Sequence, residues 1–519
     1  MWRMIIFIAV TITIAPTTGC IRRRSQLNGD DDGHYCVCNA VYCDRAPNAV
    51  KSNNPAKYVL ITSSKSGLRF RKLSGEYSNT KETVNDPLSR KIIINQTDVY
   101  QEIYGFGGSV TDAAAINIQN LTHETSEYLL RSYFGPESID YSFIRTPMGG
   151  SDFSIRPYTY ADAVANDTSL HYFNLQTEDY LHKIPTIKRA MELRKEKIKL
   201  LTAPWSAPLW MKTNPSWTHN SKLRPEYRQL WANYFVKFFE AYRQNGLEFW
   251  GTTLQNEPES YKYIPLSINL NAMAWTAEEE RDWVIKYLAP TLEKNGFEHI
   301  KIFSLDDNRL SLPHWPKTVF QDERARDIIS GVAIHYYYDD TINANVLNEV
   351  KQLFPEKSLI YTEACTGVQV DADKRVILGS WKRGEVYASN IIENLSHWVS
   401  TWIDWNIALN ITGGPAWIDN RVDSPIIINH TANEFYKQPM FYALGHFSKY
   451  VPPKSVRIGT ISENTEGIQN IAFSTPDGAT VLVILNLNED EKEILIDDPK
   501  KGTTTINVLG KSINTMKYW

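Results

Sequence analysis

Residues 249–257 read FWGTTLQNE, and residues 358–364 read SLIYTEA. Each is a short apolar run that closes on a glutamate, Glu257 or Glu363. Six more runs of this kind flank them: 103–110 (IYGFGGSV), 141–148 (YSFIRTPM), 199–205 (KLLTAPW), 301–307 (KIFSLDD), 331–337 (GVAIHYY) and 401–407 (TWIDWNI). Near-continuous apolar runs of this length suit parallel strands buried on both faces.

Helical patterns separate most of the runs. Tyr227, Leu230, Trp231, Tyr234, Phe235, Phe238 and Tyr242 share one face of a helix predicted over Glu226 to Arg243. Asn245-Gly246 ends it. Thr276 and Glu279 form a capping box before a helix at 277–294. Eight strands with intervening helices predict an α/β fold, a (β/α)8 TIM barrel. The rival, a doubly wound open sheet, lacks a Gly-rich phosphate loop after any strand. From about residue 455 the pattern changes. Ile471-Ala472-Phe473 leads through a Pro476-Asp477-Gly478 turn to Val481–Leu485, as an antiparallel β-sandwich would. That tail is too short for a full sandwich. The strand-like stretches Tyr58–Thr62 and Lys91–Asn95 are expected to complete it.

The net charge of −4 gives no polyanion signal, so nucleic acid is not an expected partner. The one basic run, Arg22-Arg23-Arg24, reads as an exposed, unstructured N-terminus. Residues 1–19 read as a signal peptide: Arg3, an apolar run from Ile5 to Ala15, then the small residues Thr17, Thr18 and Gly19. No later stretch approaches the ~18 apolar residues of a membrane span, so a soluble mature protein is expected. The aromatic load is high, with 15 Trp and 28 Tyr. Such rings stack on sugars as well as filling cores.

Cys20, Cys36, Cys38 and Cys43 crowd the N-terminus, and Cys365 stands alone. In an oxidising compartment four cysteines suggest two disulfides, with three possible pairings. A zinc site is the alternative, but no histidine has finger-like spacing. Six sequons, at Asn95, Asn120, Asn166, Asn394, Asn410 and Asn429, fit secretion. Asn394 falls in a predicted helix, which argues against its modification.

A barrel of this type carries its chemistry at the C-terminal ends of its strands. Glu257 ends the fourth strand and Glu363 the seventh. Placing a carboxyl at the close of an apolar strand has a desolvation cost, which favours function over chance. A structural salt bridge is the plain alternative for either residue alone. Two carboxyls flanking a bond are what glycoside hydrolysis needs: one protonated to release the aglycone, one ionised to attack the anomeric carbon. A separation of ~5–5.5 Å gives retention and ~6.5–9.5 Å inversion.

The Asn256-Glu257-Pro258 motif and Glu363 resemble the retaining glycosidases built on (β/α)8 barrels. The likeness narrows to the acid β-glucosidase (glucosylceramidase) type of glycoside hydrolase family 30. It runs over nearly the whole mature chain, from the cysteine cluster at 36–43 through GFGGSVTDAAA (105–115), SDFSIRPYTYAD (151–162), PWSAPLWMKTN (204–214), LDDNRLSLPHW (305–315), VDSPIII (422–428) and FYKQPMFYALGHFSK (435–449). The resemblance implies Glu257 as acid/base and Glu363 as nucleophile. It implies Asn256 as the residue that binds the sugar 2-OH, and Asp152 and Asn420 as ligands of more distant hydroxyls. Trp205 and Trp405 match aromatics against the glucose. Arg145, His335 and Tyr337 match a polar shell around the nucleophile. Trp205, Trp405, Asp152 and His335 taken singly read as core, cap or satisfied polar residues; the set lifts them. The pairings Cys20–Cys36 and Cys38–Cys43 are also implied, with no metal and no cofactor. Cys365 is an unpaired thiol in this family, and a small buried hydrophobe is an equal reading.

Departures from the family are Tyr336 for a Trp, Ser151 for a free Cys, a different loop over Glu259 to Asn271, and Asn39-Ala40-Val41 without a sequon Thr. The expected division is residues 1–19 as leader; 20–52 plus 407–438 as a small disulfide-bearing antiparallel β region; 53–100 plus 455–519 as the sandwich; and 101–406 plus 439–454 as the barrel. The resemblance implies hydrolysis of glucosylceramide to glucose and ceramide at a membrane surface, in the secretory pathway and lysosome. A saposin-type activator, anionic lipids and a lysosomal sorting receptor are the implied helpers. The competing readings are a β-glucosidase acting on a steryl glucoside or β-glucan, and an inactive sugar-binding protein. Both glutamates, Asn256 and Arg145 are present, against decay.

Overall fold

The computed structural model describes residues 19–24, 33–78, 90–217, 221–262, 270–368 and 370–519. The expected leader lies outside these residues apart from Gly19, and so does most of the loop after Glu257. Eight parallel strands close into a barrel in sequence order. They are β1 (Gly105–Ser109), β2 (Phe143–Met148), β3 (Lys199–Pro204), β4 (Gly251–Thr253), β5 (Lys301–Asn308), β6 (Ile329–His335), β7 (Ser358–Glu363) and β8 (Val399–Asn406). All eight fall within or overlap the apolar runs read from the sequence.

The barrel interior is a packed core. Phe143, Leu201, Phe303, Ala333, Ile360 and Ile403 interlock inside it, with Tyr104 and Trp250 beneath. At the opposite end from the mouth, Lys199 lies against Tyr104, Phe143 and Trp250, and Tyr104 Oη meets Ser358 Oγ at 2.7 Å. The glycines of β1 allow close approach of β2: a Cβ on Gly107 would lie 2.2 Å from the Phe143 carbonyl oxygen. The aromatic helix runs from Arg228 to Gln244 and ends at Gly246, whose φ of 77° suits glycine. The capping box at Thr276 and Glu279 is present. Its helix continues to Lys294 through one wider turn at Val284–Leu288.

The sandwich is a nine-stranded sheet folded over its own core. Its order is 502–508, 492–498, 91–102, 456–463, 468–474, 480–486, 512–518, 57–64 and 71–76. Pairing is antiparallel except that 492–498 runs parallel to 91–102. A parallel neighbour needs a long crossover, and these two strands come from opposite ends of the chain. Thr480–Asn486 shows why an apolar run can be a strand here. Leu482 and Ile484 face the sandwich core, whereas Val481, Val483 and Leu485 pack into the barrel's cluster. The helix Pro439–Ser448 is buried along its whole length between the two domains. Its His446 hydrogen-bonds Thr515 Oγ1 at 2.8 Å and Ser63 Oγ at 2.9 Å, and burial pushes its pKa down to about 3.

A third, five-stranded sheet holds both disulfides, Cys20–Cys36 and Cys38–Cys43. Its outermost pair, 409–410 with 426–429, is parallel. Arg22–Arg24, expected to be unstructured, forms an edge strand on His34–Cys38. The disulfide pins it, and Arg23 donates to both oxygens of Glu434 at 2.8 and 3.0 Å. No helix among the described residues is long and apolar enough to cross a membrane.

Truncating a buried ring in the barrel interior removes transfer energy and leaves a cavity. Phe303→Ala is expected to destabilise by about 3–5 kcal/mol. Val99→Ala, at a side chain 64% exposed, should change stability by under about 0.5 kcal/mol. Thermal unfolding of the two variants side by side checks the contrast.

Candidate active site

At the barrel mouth the strand ends bring charged side chains together. Glu363 is the last residue of β7, and His335, its register partner, is the last of β6. Glu257 lies just past β4, which ends at Thr253 rather than at the glutamate. The backbone turns there: Glu257 has φ 44°, its N–H donates to the Asp306 carbonyl at 2.9 Å, and the Asn256 N–H donates to that of Pro204. One oxygen of Glu257, one of Glu363 and a nitrogen of His335 all lie within 4.8 Å of one another.

Arg145, on β2 and fully buried, organises the centre. Its Nη1 donates to Glu363 Oε2 at 2.5 Å, and its Nη2 to Asn256 Oδ1 at 2.8 Å and Asp306 Oδ2 at 2.9 Å. Tyr337 Oη donates to the other Glu363 oxygen at 2.6 Å. His335 spans two carboxyls, with Nδ1 3.1 Å from Glu257 Oε1 and Nε2 3.1 Å from Asp306 Oδ1. Trp205 and Trp405 stack at 5.2 Å, and the Arg145 guanidinium lies 4.9 and 5.3 Å from their ring centres. Asp152 accepts from Asn420 Nδ2, and its carbonyl accepts from the Trp417 N–H. Asp152 caps no helix.

Thus Glu257, Glu363, Arg145, His335, Asn256 and Tyr337 form one hydrogen-bonded set, with the indoles of Trp205 and Trp405 against it. Asp152 and Asn420 form a second, adjoining pair. Cys365 is free and buried, 3.5 Å from Tyr337 Oη. Ser151, in place of a thiol, accepts from the Phe153 N–H at 3.1 Å. Tyr336 packs edge-on to Tyr337 and Tyr387. Asn394, the sequon in a helix, is fully buried and bonded to Arg309 and Asp339.

The sequence reading missed Asp306, with its partners Thr253 and Thr362. It is the first of two aspartates closing the run KIFSLDD, so the signal that singled out Glu257 and Glu363 was present there too.

The charges set the proton affinities. Burial pushes the Glu257 carboxyl up and the Glu363 charge adds to this, while His335 opposes. Burial works against the Asp306 carboxylate, but Arg145 and His335 hold it well below the usual range. Burial would neutralise His335, yet Glu363, Asp306 and Glu257 lift its pKa to about 10. Burial, then Glu363, raise Asp152 to about 7. Two cations, Arg145 and His335, thus face three carboxyls, of which Asp306 is held ionised while Glu257 is pushed toward its protonated form. The three ligand atoms near 4.8 Å could in principle face a metal ion. However, both His335 nitrogens already meet carboxyls and both Glu363 oxygens already accept bonds, so the donors are committed to protons. In the other such group, Cys38 and Cys43 are joined as a disulfide.

Chemically, a buried carboxyl whose proton affinity is raised, Glu257, lies beside a buried carboxyl bonded by Arg145 and Tyr337, Glu363. Known proteins share this framework. The glycosyl hydrolase family 30 TIM-barrel domain matches residues 103–451, and that family's β-sandwich domain matches residues 454–516. A lysosomal acid glucosylceramidase of Mus musculus is 39% identical over 485 residues, 92% of each chain. A putative glucosylceramidase of Caenorhabditis elegans is 39% identical over 464 residues, 88% of this chain and 87% of its own. Among solved structures, an endo-β-1,6-glucanase superposes with a TM-score of 0.78 at 26% identity, covering 89% of this chain and 99% of that one.

With its pKa lifted to about 10, His335 should stay doubly protonated across the physiological range. Its stabilising contribution is complete below the unfolded value of about 6.5 and is lost as pH rises through the folded one. Nitrogen NMR of the imidazole checks this: both ring nitrogens should carry a proton at pH 7, and a neutral tautomer at that pH contradicts it.

Proposed function

The chain belongs to glycosyl hydrolase family 30, and on that premise we propose that it is a retaining β-glucosidase that hydrolyses glucosylceramide to glucose and ceramide. The observation that carries the mechanism is the approach of Glu257 and Glu363 oxygens to within 4.8 Å. An approach that close falls on the retaining side of the two carboxyl separations, ~5–5.5 Å against ~6.5–9.5 Å for inversion, and so supports double displacement.

In the first step the protonated Glu257 gives its proton to the glycosidic oxygen. Glu363, fixed by Arg145 and Tyr337, attacks the anomeric carbon, and ceramide leaves as an alcohol. In the second step Glu257, now a carboxylate, takes a proton from water, which displaces Glu363 and releases glucose. Arg145 holds the Asn256 side-chain oxygen, which turns the NH₂ toward the sugar 2-OH, a contact that strengthens in the transition state. Asp152 and Asn420 take hydroxyls further from the reacting carbon, and Trp205 and Trp405 line the sugar face. A raised pKa on Glu257 favours turnover at mildly acidic pH.

The N-terminal disulfides support a secretory route. We place the enzyme in the lysosome, acting on lipid at a membrane surface with a saposin-type activator and anionic lipid, and delivered by a sorting receptor. The likeness to the endo-β-1,6-glucanase supports a second reading, a β-glucan substrate on the same machinery.

Three measurements test the proposal. A cyclitol epoxide should label Glu363, and label on another residue overturns the assignment. Glucosylceramide, a steryl glucoside and a β-1,6-glucan assayed in parallel should leave the lipid as the best substrate; preference for the glucan selects the second reading. Glu257→Gln should lower glucosylceramide turnover by about 10²–10⁴-fold. The same variant should lose much less on an aryl glucoside whose leaving group needs no proton, and equal losses on both contradict its role as acid.

A further inference from the structure

We infer that Asp306 is the positioning residue that couples the acid to the nucleophile, by holding His335 and Arg145 charged and in register beneath them. This rests on the proposed roles of Glu257 and Glu363 and adds a control that the sequence did not show.

The geometry is specific. Asp306 is fully buried and accepts four hydrogen bonds, two on each oxygen. Oδ1 faces His335 Nε2 at 3.1 Å and accepts from Thr362 Oγ1 at 2.6 Å. Oδ2 accepts from Arg145 Nη2 at 2.9 Å and Thr253 Oγ1 at 2.6 Å. These donors come from β2, β4, β6 and β7. Thr362 precedes Glu363, and the Asp306 carbonyl accepts the Glu257 N–H. One residue therefore touches both halves of the site through backbone and side chain. No substrate contact is required of it.

Its own backbone is held for this task. Leu305 and Asp306 have φ of 76° and 61°, and the β5–β6 register shifts between Leu305 and Asp307. Consecutive left-handed residues without glycine are uncommon, and they turn this carboxylate inward at a bulge. Behind the bulge the buried Glu280 accepts from Ser304 Oγ, the Leu305 N–H and Trp315 Nε1.

The charges around the pair define the consequence. Asp306 faces Arg145 and His335 as cations, and Glu257, Glu363 and Glu280 as carboxyls. His335 faces Asp306, Glu257 and Glu363. If the Asp306 charge is removed, His335 loses the acceptor at its Nε2 and one of the three carboxyls that favour its second proton. A neutral His335 no longer favours the Glu257 carboxylate, so Glu257 keeps its proton to higher pH. Loss of direct repulsion from Asp306 acts the other way. It is the weaker effect, because His335 bonds Glu257 directly and Asp306 lies beyond it.

The test compares Asp306→Asn with the wild-type chain on a soluble β-glucoside. The basic limb of kcat/KM should move up by about one pH unit, and kcat should fall by about 100-fold as the two carboxyls lose alignment. The imidazole nitrogens of His335 should show a single proton at pH 7 in the variant. An unmoved limb and a still doubly protonated His335, in a variant with wild-type circular dichroism, overturn the inference. Should that variant not fold, Thr253→Val with Thr362→Val keeps the charge and frees the carboxylate. It should slow both turnover and epoxide labelling of Glu363 about tenfold, and unchanged rates overturn the inference equally. Wild-type turnover is the control: without it the site reading itself fails, whereas with it only the role of Asp306 is at stake.

Discussion

A carboxyl proton donor and a carboxylate must sit a few ångströms apart, away from water, without sharing the same fate. Two bare carboxylates that close would repel, and burial alone would protonate both. Arg145 resolves this, because it lies entirely inside the barrel and is aimed at one of the two. It binds Glu363 and leaves Glu257 to a histidine that is itself held by Asp306. The asymmetry between Glu257 and Glu363, the proposed acid and nucleophile, is thus built one layer beneath them, among side chains with no access to solvent.

That layer also explains the shape of the strands. Glu257 and Asp306 have positive φ without being glycine, a strain of about 1–3 kcal/mol each. A flexible loop could not hold such conformations. The packed plug of Phe143, Leu201, Phe303, Ile360 and Ile403 lies below the site, and the sandwich and the buried Pro439–Ser448 helix brace the barrel from outside. Domains with no chemistry of their own thereby keep the carboxyls in place.

The fold was legible because buried parallel strands leave continuous apolar runs, and all eight could be found from them. The ends were less legible. β4 stops at Thr253, because the chain must turn to present Asn256 and Glu257, and no run of side-chain types announces a positive φ. Asp306 and Asp307 close the same run, and nothing in the sequence tells which of the two the positive φ at Leu305 and Asp306 turns inward. Three consecutive arginines carry no strand pattern of their own; Arg22–Arg24 is a strand because His34–Cys38 pairs with it, and the Arg23 side chain finds Glu434 more than four hundred residues away. Asp152 and Asn420 came from family likeness: each alone is a plain loop residue, and only the fold brings them into contact.

The site divides between what the barrel fixes and what its loops supply. The proposed sugar-binding set lies mostly on or next to strand ends and is tied by charge, with Asp152 and Asn420 as its loop members. The loops after β3 and β4 are joined differently. Lys212 is almost fully buried without a carboxylate. Its Nζ donates to Ser206 Oγ at 2.9 Å, the Ser216 carbonyl at 2.7 Å and the Ala272 carbonyl at 2.8 Å. Burial lowers its pKa to about 7. A lysine held only by neutral oxygens is a weaker fastening than the Arg145–Asp306 pair, and it ties the loop after β3 to Ala272, at the end of the loop whose sequence departs from the common form. The Arg145–Asp306 centre therefore does not depend on the loops after β3 and β4, which fits a framework shared with both a glucosylceramidase and an endo-β-1,6-glucanase.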